Sequence, residues 1–127
     1  MNLRLMTTSL ALLGVPALAL AWLSLTPLAI HGVEVAAGTC DTSPAAQATT
    51  TTRWNGALLE LAVDQSQNCA ASLDEASVQR VGSHLFVRTR YQAPSDVATG
   101  CNCQHRTNLR VPGLPQRDYT VHVYSWP

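Results

Sequence analysis

The sequence predicts an all-β domain, a small β-sandwich preceded by an N-terminal hydrophobic signal or anchor helix, and three features carry that expectation. Apolar side chains in the second half recur at every other residue, as they do when a strand lays one face on a core. Gly and Pro punctuate those runs at short intervals and mark turns. Four cysteines stand in a chain of 127 residues, and covalent staples suit a fold too small to rest on its apolar core alone.

The N-terminus comes first. Met1 to Arg4 is a short polar start, and no charged residue follows from Leu5 to Ile30. This run has the length and small-residue ending of a secretory signal, with an A-x-A motif at Ala19 and Ala21 and a second candidate site at Val35-Ala36-Ala37. At roughly 20 residues or more it is also long enough to span a bilayer uncut. Residues 1–37 are therefore assigned to a signal peptide or signal anchor. Ala37-Gly38-Thr39-Cys40 lacks the leading aliphatic residue of a lipobox. In each version the rest of the chain faces the periplasm or the outside, where disulfides form and persist, and it touches the membrane only through this segment.

Residues 38–52 are small and polar without apolar periodicity, and they read as a linker or loop. The disulfide-stabilised sandwich is assigned to 53–127. Its first strand is expected over Trp54 to Val63, with Leu59, Leu61 and Val63 inward and Glu60 and Asp64 toward water. Ser72-Leu-Asp-Glu75 has the spacing of a capping box and predicts a single helical turn. Gly82-Ser83 between two β-prone runs has the chemistry of a type II′ hairpin turn. In the following arm Leu85, Val87 and Tyr91 form the inward row and Phe86, Arg88 and Arg90 the outward row, until Pro94 ends the strand. A strand through Leu109 and Val111, a corner at Pro112-Gly-Leu-Pro115 and a strand from Tyr119 to Trp126 complete the domain. The expected core is Trp54, Leu59, Leu61, Leu85, Val87, Leu109, Val111, Tyr119, Val121 and Val123.

The stretch Leu109-Arg-Val-Pro-Gly-Leu-Pro-Gln-Arg-Asp-Tyr119-Thr-Val-His-Val123 resembles the Gly-Leu-Pro, turn, Tyr-x-Val-x-Val segment of Ig-like, fibronectin III-like and carboxypeptidase-regulatory-like sandwiches. The resemblance implies an Ig-like or prealbumin-like sandwich in which the Tyr119 hydroxyl bonds the backbone of the preceding corner. Arg117 stands where those families often carry glycine. Such folds host many functions, so the resemblance bears on fold alone.

Eight basic residues, all arginine, balance eight acidic ones. A neutral chain without a basic stripe is a poor nucleic-acid binder, and that class is set aside. There is no Gly-x-Ser-x-Gly elbow, no His-Glu-x-x-His and no paired carboxylates, so no enzyme and no cofactor are expected. Cys101-x-Cys103-x-His105 would share one face of a strand and offers a soft-metal site for copper or zinc. An even cysteine count in an exported domain points instead to two disulfides, with Cys40 and Cys69 each pairing with one of Cys101 and Cys103, because a bond between those two would close a tight ring. The outward row of Phe86, Arg88 and Arg90, joined by His122, Tyr124 and Trp126 if their strands share a sheet, would make an aromatic and cationic face of the kind enriched at interfaces. The functional expectation is a non-catalytic envelope binding or accessory module, its partner another protein or cell-wall glycan. A periplasmic metal-binding protein and a secreted protease or lysozyme inhibitor are the alternatives.

Overall fold

The computed structural model describes residues 26–43, 46–94 and 100–126. The expected signal or anchor helix and its Ala19–Ala21 motif lie outside the described residues. Among these residues eight strands form: β1 (Leu28–Ala29), β2 (Glu34–Asp41), β3 (Thr50–Asn55), β4 (Leu58–Asn68), β5 (Ser72–Val81), β6 (His84–Gln92), β7 (Asn102–Val111) and β8 (Thr120–Trp126). They form two four-stranded sheets, ordered β1-β5-β6-β8 and β2-β7-β4-β3. Neighbours are antiparallel except β6 and β8, which run parallel.

The period-two pattern is what joins the sheets. Leu59, Leu61 and Val63 of β4 and Leu109 and Val111 of β7 project from one sheet and pack on Val78 of β5 and Leu85 and Val87 of β6. Each is at most 2% exposed, and burying one such side chain contributes about 1.5–3 kcal/mol. Trp54, Tyr119, Val121 and Val123 pack at the margin of this cluster, half-buried. Toward the other end of the sandwich the filling turns polar, and it is paired. Thr89 Oγ1 donates to Gln65 Oε1 at 2.6 Å and the Tyr91 and Thr107 hydroxyls meet at 2.6 Å. Burial pushes the Tyr91 phenol above its ordinary pKa.

Two hairpins share one turn chemistry. Gly56 and Gly82 hold φ of 61° and 58° at the first central position of the β3–β4 and β5–β6 turns, and among the described residues no non-glycine residue has positive φ, which is the pattern of a type II′ turn. The second is the expected Gly82-Ser83 hairpin. The first corrects the expectation of an uninterrupted strand from Trp54 to Val63, for Gly56-Ala57 folds that run back on itself.

Three further expectations are corrected. Ser72 to Glu75 forms no helical turn but opens β5, because Arg90 on β6 draws the carboxylates of Asp74 and Glu75 across the strands at 2.7 and 3.0 Å. Those acids are thus unavailable to a helix N-terminus. Asp64 is not turned to water: it is 9% exposed, covered where Thr49 Oγ1 donates to its carboxylate at 2.6 Å. Strands also lie before Arg53: among the described residues β1 and the start of β2 fall in the stretch assigned to the signal or anchor, and β2 and β3 run into the one read as a linker. No side chain of β2 is buried, so it shows no apolar alternation. At Gly38 a Cβ would lie 3.0 Å from the Cβ and carbonyl oxygen of Arg106, and the register of β2 on β7 slips just there, between Ala37 and Cys40.

The Pro112–Pro115 corner carries the chain from β7 in one sheet to β8 in the other. Tyr119 Oη donates to the Pro115 carbonyl at 2.9 Å, as the resemblance implies, and Trp54 Nε1 donates to the Arg117 carbonyl at 3.3 Å. Tyr119→Phe removes the first bond, which is itself exposed, and leaves the half-buried ring in place. Thermal unfolding is expected to show a loss of about 0.5–1.5 kcal/mol; no loss would mean that water replaces the carbonyl bond without cost.

Candidate functional site: an aromatic and cationic sheet face

The parallel pairing of β6 and β8 decides which side chains meet. Its register sets Phe86 beside His122, Arg88 beside Tyr124 and Arg90 beside Trp126. Residues directly opposite one another share a face of the sheet, and the inward places are taken by Leu85, Val87, Thr89, Val121 and Val123. The six residues singled out from sequence therefore lie together on the outer face. The Phe86 and His122 rings are 4.9 Å apart and 15° from parallel, and Phe86 and Tyr124 are 6.2 Å apart at 13°. The Arg88 guanidinium sits 5.3 Å from the Trp126 ring, within cation–π range. Tyr124 and Trp126 are 50% and 52% exposed. A shallow, open concavity of about 550 Å³ runs along this face, with Phe86, Arg88, Tyr124 and Trp126 on one side and Pro27 and Gln79 on the other.

Arg90 contributes less charge than its position suggests, because its guanidinium is held by Asp74 and Glu75. Arg88 stands beside Tyr124 with its guanidinium over the Trp126 indole, and among the described residues no carboxylate forms an ion pair with it. One member was missed from sequence. His84 stacks on His122 at 5.2 Å, and its place two residues before Phe86 puts it on the same outward row.

The cysteines are spent. Cys40 is bonded to Cys103 and Cys69 to Cys101, with Cα separations of 5.6 and 5.5 Å, and no free cysteine remains. Each of Cys40 and Cys69 pairs with one member of the Cys-x-Cys, as expected. The first bond ties the edge strand β2 to β7; the second joins the turn after β4 to the start of β7, where Cys69 N also donates to the Cys101 carbonyl at 3.0 Å. This corrects the metal reading of Cys101, Cys103 and His105. Cys103 and His105 do share the inner face, and with Cys40 their ligand atoms lie within 4.8 Å of one another, but a disulfide offers no thiolate to a metal. His105 is buried against Tyr91 and its Nε2 donates to the Asn68 carbonyl at 3.0 Å.

Comparison with protein-family models, with curated proteins and with solved structures gives no match for this chain. Among the described residues no helix is long and apolar enough to cross a membrane.

Proposed function

We propose that this chain is an exported, non-catalytic envelope module, an Ig-like or prealbumin-like sandwich that binds another protein through the outer face of β6 and β8. The observation that carries the reading is the contiguous row Phe86, His122, Tyr124 and Trp126 with Arg88, half-exposed where a sheet face in contact with water alone would be polar. Two disulfides support the exported setting, since such bonds persist in oxidising compartments. A mature chain starting upstream of Leu28 fits the sandwich better than one cut after Ala37, which would remove the β2 residues paired with Thr107 to Arg110.

A protein partner is favoured over cell-wall glycan by the way the rings stand. Phe86, His122 and Tyr124 turn their faces toward one another, leaving edges outward, whereas a sugar needs an open ring face to stack on. Aromatic edges beside an arginine are the composition of interface hot spots. The inhibitor alternative loses support because Cys103 is buried, 3% exposed, and not carried on a projecting loop.

The test is site-specific photocrosslinking in a host of the native type. A photoreactive phenylalanine analogue in place of Tyr124 is expected to trap one discrete protein partner, whereas the same analogue in place of Asn108, exposed on the opposite sheet, traps none. Arg88→Glu is expected to reduce the Tyr124 adduct at least tenfold. Equal adducts from both positions would sink the reading, and co-sedimentation with cell-wall sacculi that is lost on Trp126→Ala would replace it with the glycan reading.

A further inference from the structure

Two imidazoles meet where β6 begins. Nδ1 of His84 and Nε2 of His122 are 3.0 Å apart on the solvent side of the sheet. We propose that this pair is a site for one divalent transition-metal ion of the class that prefers imidazole, Cu(II), Ni(II) or Zn(II), held on the sheet surface with its other coordination positions open. The inference rests on the geometry of the pair and does not depend on the face binding a protein.

Distance is the first argument. Metal–imidazole bonds are about 2.0–2.1 Å long, so two of them at an angle between square and tetrahedral hold their nitrogens about 2.9–3.4 Å apart. The observed separation already falls in that interval, and imidazole is a good donor to these three ions. Rigidity is the second. Both rings stand on strands whose pairing is fixed at that end by Thr120 N donating to the Ser83 carbonyl at 3.0 Å, and Phe86 packs against the His122 ring. Ligands on rigid elements lose little freedom on binding. Arg117, a cation at this end of the domain, is engaged by the Gly82 carbonyl and lies over Tyr119.

Proton accounting is simple. In the neutral pair one of the two facing nitrogens carries a hydrogen and the other accepts it. On metal binding that hydrogen moves through solvent to the far nitrogen of its own ring, so both facing nitrogens present lone pairs and no net proton is released. Among the described residues no third histidine, cysteine or carboxylate joins the pair. Water or a further donor therefore fills the remaining positions.

The experiment is titration of the full-length, disulfide-intact protein with Zn(II), followed by the nitrogen shifts of its imidazoles, and with Cu(II), followed by electron paramagnetic resonance. One ion per chain is expected, with shifts confined to the His84 and His122 rings and a two-nitrogen signature for copper. His84→Gln and His122→Gln, both at the surface, are each expected to weaken binding at least tenfold, and His31→Gln to leave it unchanged. Absence of stoichiometric binding, or binding that survives both pair substitutions, would overturn the site and leave the two rings as a hydrogen-bonded surface pair.

Discussion

Replacing Cys40 and Cys103 together by alanine is expected to lower the unfolding free energy by about 4 kcal/mol, read as a fall in the denaturant midpoint. The reasoning starts in the unfolded chain. This bond spans 63 residues, but the Cys69–Cys101 bond nested within it, which itself spans 32, leaves a loop of about that same length for it to close, so the two bonds are expected to contribute about equally. Alanine is the appropriate replacement because Cys103 is buried and a serine hydroxyl there would need a partner. The local consequence falls on β2. That strand is exposed on every residue and among the described residues pairs only with β7, so without the bond it keeps backbone hydrogen bonds and little else. Its amides are expected to exchange faster in the double variant while those of β4 and β6 hold their relative order. A loss under about 1 kcal/mol would mean that backbone pairing alone secures the edge.

Much of this fold is legible where one face of a strand is buried and the other is not. Leu59-Glu-Leu-Ala-Val63 and Leu85 to Arg88 announce both strand and orientation, and the Gly82 turn announces the pairing of the second with β5. Legibility fails for β2 and β3, edge strands without a fully buried residue, whose Ala, Gly and Thr content reads equally well as loop. It fails at Ser72 to Glu75 because a capping box and a pair of acids facing a cross-strand arginine are the same letters. Only the position of Arg90 across the hairpin separates them. The aromatic face could be proposed from sequence, but it required β8 to lie beside β6. That is a parallel, long-range pairing which no local pattern records. His84 went unremarked in the outward row for the related reason that its partner His122 is 38 residues away.

The same long-range logic governs Asp64, and it yields a pH dependence. Arg106 Nε and Nη2 donate to the two carboxylate oxygens at 2.8 and 2.9 Å, and the Thr49 hydroxyl donates at 2.6 Å. The Arg106 hydrogen bonds are the main reason why the Asp64 carboxyl is held below its ordinary value of 3.8; burial opposes the shift, and Thr49 and the guanidinium charge add to it. A folded-state pKa below the unfolded one means that the unfolded chain takes up protons first on acidification. The contribution of Asp64 is therefore complete above its unfolded pKa and is lost as pH falls through that value toward the folded one. Stability of the wild-type protein is expected to drop on going from about pH 5 to below pH 4, and Asp64→Asn to flatten part of that fall. The flattening stays partial because Glu60, bonded by Arg53 and Asn55, is held low in the same direction. At neutral pH, Asp64→Ala is expected to cost about 1–3 kcal/mol. That is less than the about 3–5 kcal/mol for breaking a fully buried pair, since the Arg106 side chain is 53% exposed and can turn to water. An acid profile unchanged by Asp64→Asn would show that solvent screens the pair and that Thr49, not Arg106, fixes the segment that covers it.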